Sequence, residues 1–122
     1  LGDRKWQRDK SIFWGLMDQA CQDAADAYET LHRHPSPHNY RLSLGYLSMS
    51  SASYMEAWQF YVLHEDIQHY EIDPVFRAYE AFKRQMKQVI TNNDRAGEPL
   101  AAAYETLQST YREASEFIES SM

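Results

Sequence analysis

Apolar side chains recur three and four residues apart in four stretches of this chain, and strict apolar–polar alternation is almost absent, which predicts helices and no sheet. In the first stretch Phe13, Met17, Ala20, Ala24, Ala27 and Leu31 form one stripe, and Trp14, Cys21 and Tyr28 add a flanking row seven apart. A face that wide belongs to a bundle helix rather than a two-stranded coil. The helix should run over residues 3–33, capped by Asp3 or a neighbour. It must stop at His34-Pro35-Ser36-Pro37-His38, where two prolines remove amide donors and push the residues before them out of helical conformation.

The second helix is expected over residues 39–70, with Asn39 as N-cap. Its stripe reads Leu44, Leu47, Ser51, Tyr54, Trp58 and Tyr61, with Met55 and Val62 beside it. The run Ser48-Met49-Ser50-Ser51-Ala52-Ser53 is almost wholly small, which lets a neighbouring helix approach closely; Ala20, Ala24 and Ala27 suit that role. Asp73-Pro74 reads as an N-cap followed by proline at the first helical position. It opens a third helix, 74–92, on Val75, Tyr79, Phe82, Met86 and Val89, flanked by Phe76 and Ile90. The cluster Asn92-Asn93-Asp94-Arg95-Ala96-Gly97 is a turn. Glu98-Pro99 then starts a fourth helix, 99–120, whose Leu100, Tyr104, Leu107, Tyr111, Ala114 and Ile118 make a heptad seam. Short connections force sequential helices to run antiparallel, so the expectation is an all-α, up-down-up-down four-helix bundle over residues 1–122, a single domain. Ala27-Tyr28-Glu29-Thr30-Leu31 recurs as Ala103-Tyr104-Glu105-Thr106-Leu107 and more loosely as Ala78-Tyr79-Glu80-Ala81-Phe82. The spacing is not the ~34 residues of a tetratricopeptide array, whose Trp, Gly and Pro landmarks are also absent, and it reads as reuse of one amphipathic helical word.

Composition narrows the class of protein. At 122 residues the chain can bury a core without staples. The lone Cys21 rules out an internal disulfide and any zinc site built on paired cysteines. No apolar run reaches the ~18 residues of a membrane span, and no signal-peptide pattern opens the chain. The formal charge of −6 argues against nucleic acid as the main partner. Residues 1–10 depart from that balance, with Arg4, Lys5, Arg8 and Lys10 against Asp3 and Asp9, and with Trp6 among them. Such a segment fits the cytoplasmic edge of a membrane span. The chain starts Leu1-Gly2, so a tether upstream is one expectation. A cytoplasmic location, free or membrane-associated through that segment, is the corresponding expectation.

Three patterns could carry chemistry. Glu65 and His69 stand four apart, Asp66 and His69 three apart, and Glu29 and His32 three apart, so each pair shares a helix face. Paired acidic-x-x-His units resemble the di-iron carboxylate arrangement of helical bundles. Here, with bridging glutamates scarce, the metal reading reduces to one zinc or nickel ion on His32, Glu65 and His69. The second pattern, Arg33-His34-Pro35-Ser36-Pro37-His38, is similar to the Arg-x4-His motif of HEPN ribonucleases, which are also small helical bundles. That resemblance implies Arg33 as phosphate binder and His38 as general acid–base toward a ribose 2′-hydroxyl, although prolines occupy two of the intervening positions. The third pattern is aromatic excess: nine Tyr, five Phe and three Trp exceed what the core needs. Trp6, Tyr40, Tyr46, Phe60 and Tyr70 fall outside the seams, as residues of an interaction surface do. No glycine-rich phosphate loop or nucleophile elbow is present, and Cys21 sits on an apolar flank. The leading expectation is therefore a small acidic protein–protein interaction module, adaptor- or inhibitor-like, without catalytic residues or cofactor. Its partner would be another protein or a second copy, with no nucleic acid and no membrane insertion within the chain. A metal-binding bundle is the alternative, and a HEPN-like ribonuclease the second alternative.

Overall fold

The computed structural model describes residues 2–120, and the expected Asp3 cap falls outside the described side chains. Four helices are present, α1 (Gly2–Arg33), α2 (Pro37–Leu63), α3 (Asp73–Thr91) and α4 (Glu98–Ser120), with no strand among the described residues. They form the antiparallel bundle expected. Ser50 of α2 meets Ala20 of α1 while Ser43 meets Ala27. Tyr54 of α2 lies against both Phe76 and Tyr79 of α3, and Trp14 of α1 lies against Tyr111 of α4. Each helix therefore borders the one before and the one after it, and α4 closes back on α1.

The boundaries follow local chemistry. Ser36, not Asn39, caps α2: its hydroxyl accepts from the Asn39 amide (3.1 Å), and Pro37 takes the first helical position, where no amide donor is needed. Asn39 instead donates to the His34 carbonyl (2.6 Å), bracing the turn. α2 ends at Leu63 rather than near residue 70, and the Gln68 side-chain Nε2 reaches back to the carbonyls of Tyr61 (3.0 Å) and Val62 (3.2 Å). A short 3-10 turn, Glu65–Ile67, follows and buries Ile67. Asp73 does not cap α3. Its carboxylate accepts from the Tyr61 hydroxyl (2.9 Å), which in turn accepts from the His69 amide (2.8 Å). Asn93 turns the chain between α3 and α4 with φ 51, a conformation that asparagine tolerates better than most residues.

The packing divides the bundle into two pairs. Between α1 and α2 the contact is made by small residues: Ala20, Ala24 and Ala27 face Ser43, Ser50 and Ala57, all buried. Ser43 donates to the Ala27 carbonyl (2.7 Å) and Ser50 to the Ala20 carbonyl (2.5 Å), so the backbones themselves are in reach of one another. With its single proton committed there, Ser50 accepts from the Tyr79 hydroxyl (2.6 Å) of α3. The α1/α2 pair meets the α3/α4 pair through rings. Tyr54 stacks on Tyr79 (4.0 Å between centroids), Tyr28 on Tyr104 (4.0 Å), and Trp14 on Tyr111 (4.9 Å), while Phe13 and Tyr61 close on Phe76. The recurring five-residue word thus packs against its own copy. Tyr28 and Tyr104 stack, and Thr30 and Thr106 each donate to the carbonyl four residues back.

The inward face of α2 differs from the expected stripe. Leu47, Tyr54 and Tyr61 are buried as expected, but their companions are Ser43, Ser50 and Ala57. Leu44, Met55, Trp58 and Val62 remain 41–49% exposed. The cause is the close approach to α1, which admits only small side chains at the contact and turns the bulky ones outward.

Two expectations follow. Replacing Ser50 by Ala strips a buried partner from the Tyr79 hydroxyl and should cost about 1–3 kcal/mol, seen as a lower urea midpoint. Ser48→Ala, at an exposed position bonded only within its own helix, should stay within about 0.5 kcal/mol. The second concerns alkali. Burial raises the hydroxyls of Tyr54, Tyr61, Tyr79, Tyr104 and Tyr111, with Tyr61 and Tyr79 pushed up to about 12. A folded value above the unfolded one gives stability that is complete below ~10 and lost as pH rises through the folded value. Tyrosinate absorbance should therefore grow cooperatively with loss of helical circular dichroism above pH ~10; ionisation of all tyrosines with the helix signal intact would contradict the buried hydroxyls.

Candidate functional site

α2 carries only two formally charged side chains in its 27 residues, Arg41 and Glu56. Helices on the surface of a bundle ordinarily keep one polar face, and one that is apolar all round is ordinarily covered. α2 is nearly free of charge all round, and its outward side is uncovered. Of the nine large apolar residues left exposed among the described residues, seven belong to it: Leu42, Leu44, Met49, Met55, Trp58, Val62 and Leu63. They form two ridges along the helix. Leu44, Met55 and Val62 lie on the side of α3, and Leu42 and Met49 on the side of α1. Between the ridges runs an exposed line of small residues, Gly45, Ser48 and Ala52.

Grooves flank the C-terminal half of the helix on both sides. The groove toward α3, about 550 Å³, has Met55, Trp58 and Phe76 as its apolar wall and Arg77, Glu80 and Arg84 as its polar one. Trp58 stands edge-on to Phe76 (4.9 Å, 76° between planes), which holds the indole in place while leaving it 41% exposed. The groove toward α1, about 620 Å³, is lined by Ile12, Gly15, Leu16, Glu56, Phe60 and Leu63 among others.

The five aromatics expected at an interface are dispersed. Tyr40 is half-buried and donates its hydroxyl to the Asp94 carbonyl, tying α2 to the α3–α4 turn. Tyr46 is half-buried against the core. Phe60 stacks on His64 (3.8 Å) beside the α1 groove. Trp6 lies under the Lys10 ammonium (3.5 Å to the ring) at the opposite end of the bundle from Tyr40. Only Tyr70, 74% exposed in the α2–α3 connection, is as open as expected. The exposed residues that sequence reasoning misses are Leu44 and Trp58, which fall on its expected inward stripe, and Met55 and Val62, which fall beside it. The available signal was the near absence of charge along α2.

The metal ligands expected together are not brought together. His32 is in the last turn of α1, stacked on Tyr28 (5.5 Å). His69 stacks on Phe117 (4.2 Å), next to Lys10 near the start of α1. The 22 residues from Lys10 to His32 span ~33 Å of helix, so His32 and the Glu65–His69 segment occupy opposite ends. Among the described residues no three His, Cys, Asp or Glu side chains are placed to hold an ion. The expected metal site is corrected accordingly: antiparallel topology separates its halves. Arg33 and His38 are both exposed, on either side of the α1–α2 turn, and the Arg33 guanidinium turns back to Glu29 (3.4 Å). Neither lines either of the grooves beside α2.

A smaller cleft, about 310 Å³, opens between α1 and α4, where Cys21, Ala25 and Leu107 leave a gap between the Trp14–Tyr111 and Tyr28–Tyr104 stacks. Asp18 sits at its edge, accepting from Tyr111 (2.5 Å) and Gln22 (2.6 Å). At the start of α1, Asp9 is buried with Oδ2 lacking a hydrogen-bond partner among the described residues, and Oδ1 lies 3.9 Å from Arg8. Burial pulls the adjacent Lys10 ammonium below the ordinary lysine range. No described helix is long and apolar enough to cross a membrane. The chain matches no protein-family model, and no curated protein or solved structure matches it either.

Burial, with the Asp18 charge adding to it, pushes the Cys21 thiol up to about 12. Thiolate is the reactive form, so Cys21 should resist a disulfide reagent at neutral pH in the folded chain and react fully in urea. Equal rates in the two states would contradict the burial of Cys21.

Proposed function

We propose that this chain is a protein–protein interaction module that works through the outward face of α2, without catalysis or cofactor. The observation that carries the reading is a 27-residue helix with two charges and seven exposed large apolar residues. Monomeric proteins seldom expose contiguous apolar patches of more than a few hundred Å² unless the patch binds something. Along α2 the ridges are contiguous over several turns, and an anchored tryptophan stands among them. Tryptophan is enriched among the residues that dominate binding energy, and Met adapts its shape to a partner. The rest of the surface plays the complementary part. α4 carries five Glu against one Arg, a charged face that keeps the module from associating at random.

The reading is tested by placing a photo-crosslinking amino acid at Met49 or Met55 of α2, and at Arg112 of α4 as control, in the cells the chain comes from. Covalent protein adducts from both α2 positions, with none from the α4 position, are expected. Adducts at equal yield from all three positions, or from none, would remove α2 as the working surface.

A further inference from the structure

We infer that the occupant of the α2 face is a second copy of this chain, paired antiparallel about a two-fold axis between Ser48 and Met49. The inference rests on the α2 reading above and adds the partner. Three observations converge on it.

The first is charge. Arg41 and Glu56 are the only formally charged residues of α2, both exposed, and neither forms an ion pair among the described residues. They are fifteen positions apart, on the same outward side. When two α2 helices run antiparallel about the point midway between them, Arg41 of each copy falls opposite Glu56 of the other. Isologous pairing requires that self-complementarity, whereas a foreign partner has no need of it. The α2 charges cancel in a chain of net charge −6, so two copies can meet here without the repulsion that two α4 faces would suffer.

The second is glycine. Gly45 sits inside a helix with ordinary negative φ, and a side chain built on it would meet nothing within 4 Å. Nothing in the fold of the single chain calls for glycine there, where it weakens the helix. A second backbone passing close by does call for it. Gly45, Ser48 and Ala52 make the same kind of small-residue line that lets α1 approach the opposite face of α2. Gly15 of α1 is likewise open, and it lines the groove that also holds Glu56, leaving room where the partner's Arg41 has to arrive.

The third is area. α2 is ~40 Å long, and with its flanking grooves the strip is ~20 Å wide, giving about 800 Å² per copy, the size of a standard stable interface.

Sedimentation equilibrium on the untagged chain tests the inference. The wild-type chain should be a dimer with Kd of about 1 µM or tighter. Arg41→Glu or Glu56→Arg should each weaken the dimer at least ~10-fold, and the double reversal should restore it, because like charges would then be opposed in the singles and re-paired in the double. Gly45→Leu should abolish the dimer while leaving the monomer's thermal stability equal or higher, so loss of association cannot be ascribed to misfolding. A wild-type monomer at ~100 µM, a dimer indifferent to both charge reversals, or a double reversal without rescue would each overturn the α2 pairing. The α2 reading itself survives that failure when crosslinks from Met49 and Met55 yield adducts to a different protein, and falls when they yield none or no more than the α4 control position.

Discussion

The distance between α1 and α2 is set by two serine hydroxyls, each of which must reach a main-chain carbonyl of the other helix. Ser43 bonds Ala27 and Ser50 bonds Ala20, and a serine side chain is too short to do this unless the helices nearly touch. Everything at that contact must then be small, which is why Ala20, Ala24 and Ala27 oppose Ser43, Ser50 and Ala57. The same hydroxyl network extends to α3, since Ser50 also receives Tyr79. One position thus joins three helices and fixes how α2 is rotated about its own axis. The side chains of Leu44, Met55, Trp58 and Val62 have no place inside once that rotation is fixed.

The two pairs of helices meet on a different principle. Where α1 and α2 touch through alanine and serine, the α1/α2 pair is held off the α3/α4 pair by stacked rings, Tyr54 on Tyr79, Tyr28 on Tyr104 and Trp14 on Tyr111. Rings fill a wide gap at low conformational cost, and their hydroxyls find partners at the margins, as Tyr111 does with Asp18. Most of the aromatic excess is consumed in this layer rather than displayed on the surface.

The helices and their ends were largely legible from residue spacing, because proline and the turn-forming cluster near Asn93 act locally and α3 and α4 have one clear apolar side. α2 resisted for a physical reason. Its apolar residues lie all around the axis, so periodicity cannot rank its faces, and the small polar Ser43 and Ser50 look like surface residues until a carbonyl is found opposite them. Phe60 and Tyr40 illustrate the same limit for the interaction surface, since an aromatic off the seam can still lie flat on His64 or reach a turn carbonyl. The separation of His32 from Glu65 and His69 was within reach of the sequence: in an up-down bundle the end of the first helix and the end of the second lie at opposite poles. Spacing within one helix speaks to which side chains share a face, and topology alone decides which faces share a site.

The ring layer also has a consequence in time. Contacts inside the α1/α2 pair join residues 16 and 30 positions apart; across the layer Tyr54 and Tyr79 are closer in sequence than Ser50 and Ala20, whereas Asp18 and Tyr111 are 93 apart. Local contacts form early because they close short loops, and distant ones wait. On that measure the α2–α3 side of the layer closes loops as short as those of the α1/α2 hairpin, across the passage from His64 to Ile72, and the α1–α4 stacks close the longest ones. Substitutions among the serines, the alanines and the Tyr54–Tyr79 stack would act on the early closures, and substitutions at Trp14, Tyr28, Tyr104 or Tyr111 on the last one.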